Sequence, residues 1–469
     1  MSRRFPAPRR MVPAVDRLWL AVPAGTLAAA TVLGYAPGSS DMATMLAITV
    51  FCVCLWIGTP VEPWFTALVC VGLVGVAFST DLALTGFRSP ATWLVVFGIL
   101  IGEAARDSGL AGLVERVVLR WMPGRVGTDA VAAYRYLLVV LCLASLAFAV
   151  LVPSSLVRVL ILGPILVSIG DLFAERRAKV GIFLGPLFAT YYGASGVLTG
   201  SLANIIITGL VESGADVAIS WTEWALWMGP VMGVGRSLVV AAVAYALYRP
   251  RDPDGISVPE PDGVLDVSGR EKRMLAILLV GVGVWATDFV HGLHPLYGAL
   301  LVALLAFTPR VGVVDTDVVG EADFSIVFFL GAIFAVAEGL RRTGFTDLAA
   351  TELLSYLPED AGIALTLAFV VFAAVSLAFL MEGLAVASVL TPVLVSFAAS
   401  AGVPLAPVAM IEAVALNAYF FPYQSAVMVA ILGLDVVDTV ELTRMATVCT
   451  VATLGLLVPV QIAVFALFF

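Results

Sequence analysis

Apolar residues run along this chain in long stretches, each closed by a short cluster of glycine, proline or charge. A helix needs about 20 mostly apolar residues to cross a bilayer. On that pattern eleven spans are predicted, at roughly 18–35, 42–59, 64–80, 91–106, 181–213, 221–248, 273–290, 295–309, 323–341, 405–434 and 442–468. Two further apolar stretches, 134–170 and 362–399, each have room for two helical arms. Their turns fall at Pro153-Ser154-Ser155 and Met381-Glu382-Gly383. Each reads as a re-entrant hairpin or as two full spans, because both return the chain to the same side.

The pattern is written twice. "SSLVRVLILGPILVSI" (154–169) and "EGLAVASVLTPVLVSF" (382–397) each place a proline ten residues after the first letter. "IGEAARDSGLAGLVERVV" from Ile101 likewise parallels "VAEGLRRTGFTDLAATEL" from Val336, pairing Glu103 with Glu338, Arg106 with Arg341 and Gly109 with Gly344. After each phrase a mixed apolar and charged stretch predicts an amphipathic surface helix. Five spans and one hairpin per copy make an odd number of crossings, so the second copy is inverted, a layout that places transporter sites at mid-membrane. The expected fold is an all-α membrane protein of about 11 transmembrane helices plus two re-entrant hairpins in two inverted-topology repeats. Its divisions are a basic tail and first span (1–40), a first repeat (41–248), a Pro/Gly/Asp-rich cytoplasmic linker (249–272) and a second repeat (273–469).

Composition agrees with the pattern. The 469 residues are 61% apolar and only 13% charged, with a mean hydropathy of +1.05, which leaves no room for a large soluble domain. A net charge of −9 without a basic stripe excludes a nucleic-acid partner. The five cysteines lie inside apolar runs and act as small hydrophobes. Nearly all positive loop residues fall on one side if the N-terminus is cytoplasmic. Arg88, Arg341 and Arg342 are the exceptions. The C-terminus is then outside, in a cytoplasmic (inner) membrane protein.

Four places carry candidate chemistry. "YYGASGVLTGSLANIII" (191–207) puts Gly196, Thr199, Ser201 and Asn204 where apolar helix is expected. An unwound backbone in hydrocarbon is tolerated where it lines a cavity or site, although a close-packed helix of small residues fits the same letters. Pro422 breaks the tenth span beside Tyr423, Gln424 and Ser425. At the first tip, Ser154 and Ser155 open a helix whose free N–H groups suit an anion. Arg158, one turn on, binds an anion, substitutes for a bound cation, or pairs with a carboxylate such as Glu382. At the second tip, Glu382 with Gly383 is a candidate proton carrier. Arg236 is expected to snorkel toward the cytoplasmic surface. No phosphate loop or protease spacing occurs, so no enzyme or ATP-driven pump is expected.

These residues resemble the divalent anion/sodium symporter family. "PSSLVRVLILGPI" is similar to its "PSNTAR" variant, with Arg158 at the arginine, "TGSLANIII" to its G-T-x-x-N-[LI] loop, and "FPYQSAVMV" to its "LPYQSP" form. The resemblance implies a homodimeric elevator transporter of dicarboxylates, tricarboxylates or sulfate, usually coupled to sodium and in some members an exchanger. The family's Ser-Asn-Thr tip triplets are here Ser154-Ser155-Leu156 and Glu382-Gly383-Leu384.

The expectation is a secondary active transporter of small anions, without cofactor, coupled to Na+ or H+. Its substrate set is Ser154, Ser155, Arg158, Thr199, Asn204, Glu382, Gly383, Gln424 and Ser425. Its ion set, where Na+ would bind, is Ser154, Ser155, Gly196, Thr199, Ser201, Asn204, Glu382, Tyr423 and Ser425. A proton-coupled carrier or anion exchanger using Arg158 and Glu382, a cation/proton antiporter, or a channel on the same scaffold are the alternatives.

Overall fold

A computed structural model describes residues 20–469 except 37, 60, 124–128, 254, 258–266, 321, 359–360 and 380–381. Among them every regular element is a helix, and Phe173 with Ile256 forms one isolated bridge. The basic tail before residue 20 and Met381 at the second tip lie outside the described residues.

Helices α1 to α4 are Ala21–Tyr35, Ser40–Gly58, Pro63–Ala77 and Pro90–Asp107. The short helix α5 (Leu110–Arg120) follows, then α6 (Ala130–Leu151), α7 (Ser155–Gly170), α8 (Arg176–Tyr192), α9 (Leu202–Ala215), α10 (Trp221–Met228) and α11 (Arg236–Tyr248). In the second half come α12 (Gly269–Ala286), α13 (Pro295–Phe307), α14 (Ser325–Arg342) and the short α15 (Phe345–Ser355). The chain ends with α16 (Ile363–Ala378), α17 (Gly383–Ala401), α18 (Leu405–Leu416), α19 (Ala426–Gly433), α20 (Thr439–Ala452) and α21 (Val458–Phe468).

Local chemistry sets these limits. Asp129 accepts N–H bonds from Val131 and Ala132 and so starts α6, while Pro63, Pro90 and Pro295 begin helices where a missing N–H costs nothing. A reciprocal cap between Ser268 and Glu271 starts α12. The linker therefore ends at about 268, four residues earlier than its polar composition suggested. Its first part is pinned, since Glu175 Oε1 accepts the N–H groups of Arg251 (2.6 Å) and Asp252 (2.7 Å).

Parallel phrases give parallel local structure. Glu103 pairs with Arg106 and Glu338 with Arg341, each three residues apart near a helix end. Gly109 (φ 76°) and Gly344 (φ 79°) then turn the chain in the left-handed region that glycine adopts without strain, and α5 and α15 begin. Both terminal spans also contain a π-helical stretch, at Gly229–Gly235 and Thr453–Leu457.

Helices from both halves interleave. α14 packs on α3 and α2, and α4 on α13, which pairs with α12. A second group joins α6, α7, α8 and α11 to one another and α16, α17, α18 and α21 to one another, with α9 against α17 and α7 against α19. The positive loops gather at one end: Arg270 reaches Asp107, Arg116 reaches Glu271, and Arg176 reaches Glu441.

Candidate functional site

Both long helices expected to break do so. α8 ends at Tyr192, two short 3-10 turns cover Gly193–Gly196 and Leu198–Gly200, and α9 starts after Ser201. α18 ends at Leu416, and a 3-10 turn at Pro422–Gln424 precedes α19. The first apolar pair folds as helix, sharp turn, helix, α6 to α7 through Val152–Ser154, and in the second α16 ends at Ala378 and α17 begins at Gly383.

The first tip seats on the first break through Arg158. Its side chain is completely buried. Nε donates to Thr190 Oγ1 (2.9 Å), Nη1 to the Val152 carbonyl, and Nη2 to Ser155 Oγ (2.9 Å) and the carbonyls of Thr190 (2.9 Å) and Gly200 (2.8 Å). Ser155 Oγ also donates to Gly200 O at 3.3 Å, and Ser154 Oγ caps α7 at Val157 N. The ion pair with Glu382 is not made: the partners of Arg158 are neutral oxygens, three carbonyls and two hydroxyls of the first tip and break.

Within the first break, Asn204 Nδ2 donates to the carbonyls of Val197 (2.9 Å), Ala194 (3.2 Å) and Ser195 (3.5 Å), leaving its Oδ1 buried without a partner. Thr199 accepts from Trp221 Nε1 at 3.2 Å. Gly196 serves close approach, since a Cβ there would lie 2.4 Å from both Cα and N of Gly233 in the π stretch.

At the second break Gln424 does the equivalent work with opposite polarity. Its Oε1 accepts from Phe420 N (2.6 Å) and Phe421 N (2.8 Å), and its Nε2 donates to Ala378 O (2.7 Å) at the end of α16. Tyr423 donates to Phe379 O at 3.0 Å, so this break holds the outer arm of the second pair. Gly383 abuts the other side, where a Cβ would sit 2.9 Å from Leu416 O. Glu382 is half-buried beside it.

Arg236 joins the two breaks, and the snorkelling expectation is wrong. The side chain is completely buried, stacks on the Tyr192 ring at 4.5 Å, and donates to Tyr192 O (3.2 Å), Ser195 Oγ (3.1 Å) and Asn417 O (2.8 Å). The preceding π stretch and Gly196 bring it to the first break, a contact no sequence motif announces. Tyr191 reinforces the bridge by donating to Ser425 Oγ and stacking on Tyr419 at 5.0 Å, while Tyr192 donates to Tyr419 O at 3.1 Å.

The predicted residues thus form two linked groups. Ser154, Ser155, Arg158, Gly196, Thr199, Ser201 and Asn204 lie at the first tip and break. Glu382, Gly383, Tyr423, Gln424 and Ser425 lie at the second, and Tyr191, Tyr192 and Arg236 connect them. Sequence reasoning missed those three and Glu412, a wholly buried carboxyl in α18. A lone acidic residue inside an apolar run was the available signal. A separate cavity of about 220 Å³ lies between α4, α9 and the 288–295 loop, lined by Leu198, Thr208, Glu212 and His294 among others.

Comparison with known proteins gives a consistent picture. Residues 26–467 match the family described as the sodium:sulfate symporter transmembrane region. L-tartrate/succinate antiporters of Escherichia coli strain K12 and of Shigella dysenteriae are each 24% identical over 409 residues, covering 82% of this chain and 81% of theirs. The YdaH transporter of Alcanivorax borkumensis shares the fold with a TM-score of 0.54 at 14% identity, covering 94% of this chain and 98% of its own. MtrF of Neisseria gonorrhoeae, from a class of antimetabolite efflux pumps, gives 0.54 at 13% identity, covering 98% and 96%.

Proposed function

This chain belongs to the sodium:sulfate symporter family, and from that premise we propose that it exchanges small anions of the dicarboxylate class across the membrane without sodium at the first tip. Membership makes it a multi-pass secondary transporter of anions and not an enzyme. Exchange, substrate class and mechanism are the further reading.

One observation carries it. The carbonyls of Val152, Thr190 and Gly200, with two hydroxyls, already surround the Arg158 guanidinium. Helix breaks in transporters commonly offer such carbonyls to a coupling cation. A covalently attached cation cannot dissociate, so the driving force must come from another solute. The antiporters among the relatives favour a counter-anion. The N-termini of α7 and α9 at the first tip and of α17 and α19 at the second supply N–H groups and partial positive charge for the substrate carboxylates. In this reading the two hairpins and two broken helices carry the anion as one body, tied by Arg236, against α1–α4 and α12–α14, within the homodimer that the family resemblance implies.

Sodium coupling is the second reading, and Asn204 Oδ1, buried and unpartnered, favours it. Proteoliposomes loaded with succinate or left empty separate the two. Uptake of labelled succinate should be accelerated several-fold by internal anion and be indifferent to replacing external sodium by choline. Uptake into empty vesicles that follows a sodium gradient would sink the exchange reading.

A further inference from the structure

Glu412 lies in α18, five residues before the second break, and is completely buried. Its Oε1 accepts one bond, from Thr391 Oγ1 at 2.9 Å, and its Oε2 is buried with no partner. Thr391 is in α17, the arm that begins at the Glu382 tip, and directly precedes Pro392, whose ring leaves a helix carbonyl without its usual N–H.

Among the described residues, the helices packed on α18 bring no cation to this carboxyl. α18 packs against α16, α17, α9 and α21. α16 and α21 contain no titratable residue, α17 brings only Glu382 at its cap, and α9 brings only Glu212, which faces His294 at 3.4 Å. An ionised carboxylate so enclosed is strongly disfavoured. A metal cation would gather about six oxygens, whereas the partner seen here is one hydroxyl whose hydrogen already points at Oε1. A proton needs only the free Oε2.

We propose that Glu412 is a proton-binding site, taking up one proton on Oε2 on one side of the membrane and releasing it on the other as the anion crosses, with Thr391 as its positioning residue. The inference rests on the transport reading above. The Thr391–Glu412 contact joins α17, which starts at the second tip, to α18, which ends at the second break. Occupancy by a proton therefore bears on how α17 seats against α18.

The test uses the whole protein in proteoliposomes, labelled succinate as probe, and two measurements on the same vesicles: succinate counterflow and net uptake under an inside-alkaline gradient. In the wild type, a gradient of about one pH unit should raise net uptake relative to counterflow, up to about tenfold for one proton per anion. Glu412→Gln should leave that ratio flat. Thr391→Val, which keeps the carboxyl but removes the donor, should move the pH midpoint of uptake upward by about one unit. A Glu412→Gln protein that retains the wild-type response to the gradient overturns the proposal. So does wild-type counterflow with no gradient response, which leaves the exchange reading standing. If Glu412→Gln fails to fold, Thr391→Val decides, and an unshifted pH profile counts against the site. Absence of counterflow in the wild type overturns both readings.

Discussion

Arg158 and Arg236 solve the same physical problem at two points. Each occupies a place where helix geometry has stopped and carbonyl oxygens have lost their donors, and a buried polar group left without a partner costs about 1–3 kcal/mol. A guanidinium offers five donors in a rigid plane, which suits several oxygens arriving from different elements. Shortening Arg158 to serine should therefore strand the Val152, Thr190 and Gly200 carbonyls and lower the detergent melting temperature by several degrees. If the guanidinium stands where a cation otherwise sits, about 100 mM sodium, compared with choline, should restore part of that loss. Sodium-independent melting of Arg158→Ser would remove the cation-substitute reading. Arg158 was legible because "PSSLVR" keeps a tip motif. Arg236 was not, because nothing near it in sequence records the break that it meets in space. Glu412 was overlooked for a simpler reason: its neighbours in "AMIEAVAL" form no motif.

Element boundaries were mostly written in the chain. Caps at Asp129 and Ser268, the initiating prolines and the Gly109 and Gly344 turns all act within a few residues, so a linear reading finds them. The π stretches escape such a reading because their cause is tertiary. Gly229–Gly235 winds wider where it lies against the 3-10 turn at Gly193–Gly196. The contact is one-sided in a way that can be measured. A methyl at Gly196 would sit 2.4 Å from backbone atoms of Gly233, whereas one at Gly233 would meet nothing closer than 3.7 Å. Gly196→Ala should cost about 1–3 kcal/mol through forced backbone shifts, visible as a drop in melting temperature and in yield. Gly233→Ala should be close to neutral, and equal losses from the two would show that the approach is not what constrains Gly196.

At the scale of the molecule, the halves hold each other at the positive loops through ion pairs and also at the opposite end. Asp288, between α12 and α13, accepts the N–H groups of Trp221 (2.7 Å) and Thr222 (3.2 Å), capping α10 from the opposite half of the chain. His294 faces Glu212 at 3.4 Å across the same seam. If the body carrying the breaks moves against α1–α4 and α12–α14, these contacts exist in one arrangement only. Loss of such a cap is worth about 1 kcal/mol, enough to shift a two-state population about fivefold. A cysteine placed at Leu198, on the cavity wall, should thus change its alkylation rate several-fold when Asp288→Ala is added; an unchanged rate would mean that the seam does not move. The apolar spans, paired hairpin phrases and broken helices were readable because each depends on local letters. The seam and the Arg236 bridge were not, because they join residues far apart in the chain.

The ionisable groups around the breaks are unevenly divided between the halves. Both arginines, Arg158 and Arg236, come from the first half, and both glutamates, Glu382 and Glu412, from the second. On the duplication reading, an ancestor built from two identical copies could have held no such division, since two first halves would enclose four cations and two second halves four acids. On that reading the copies have diverged into complements, one bringing the guanidiniums and the other the carboxyls, and neither half alone could rebuild both sets.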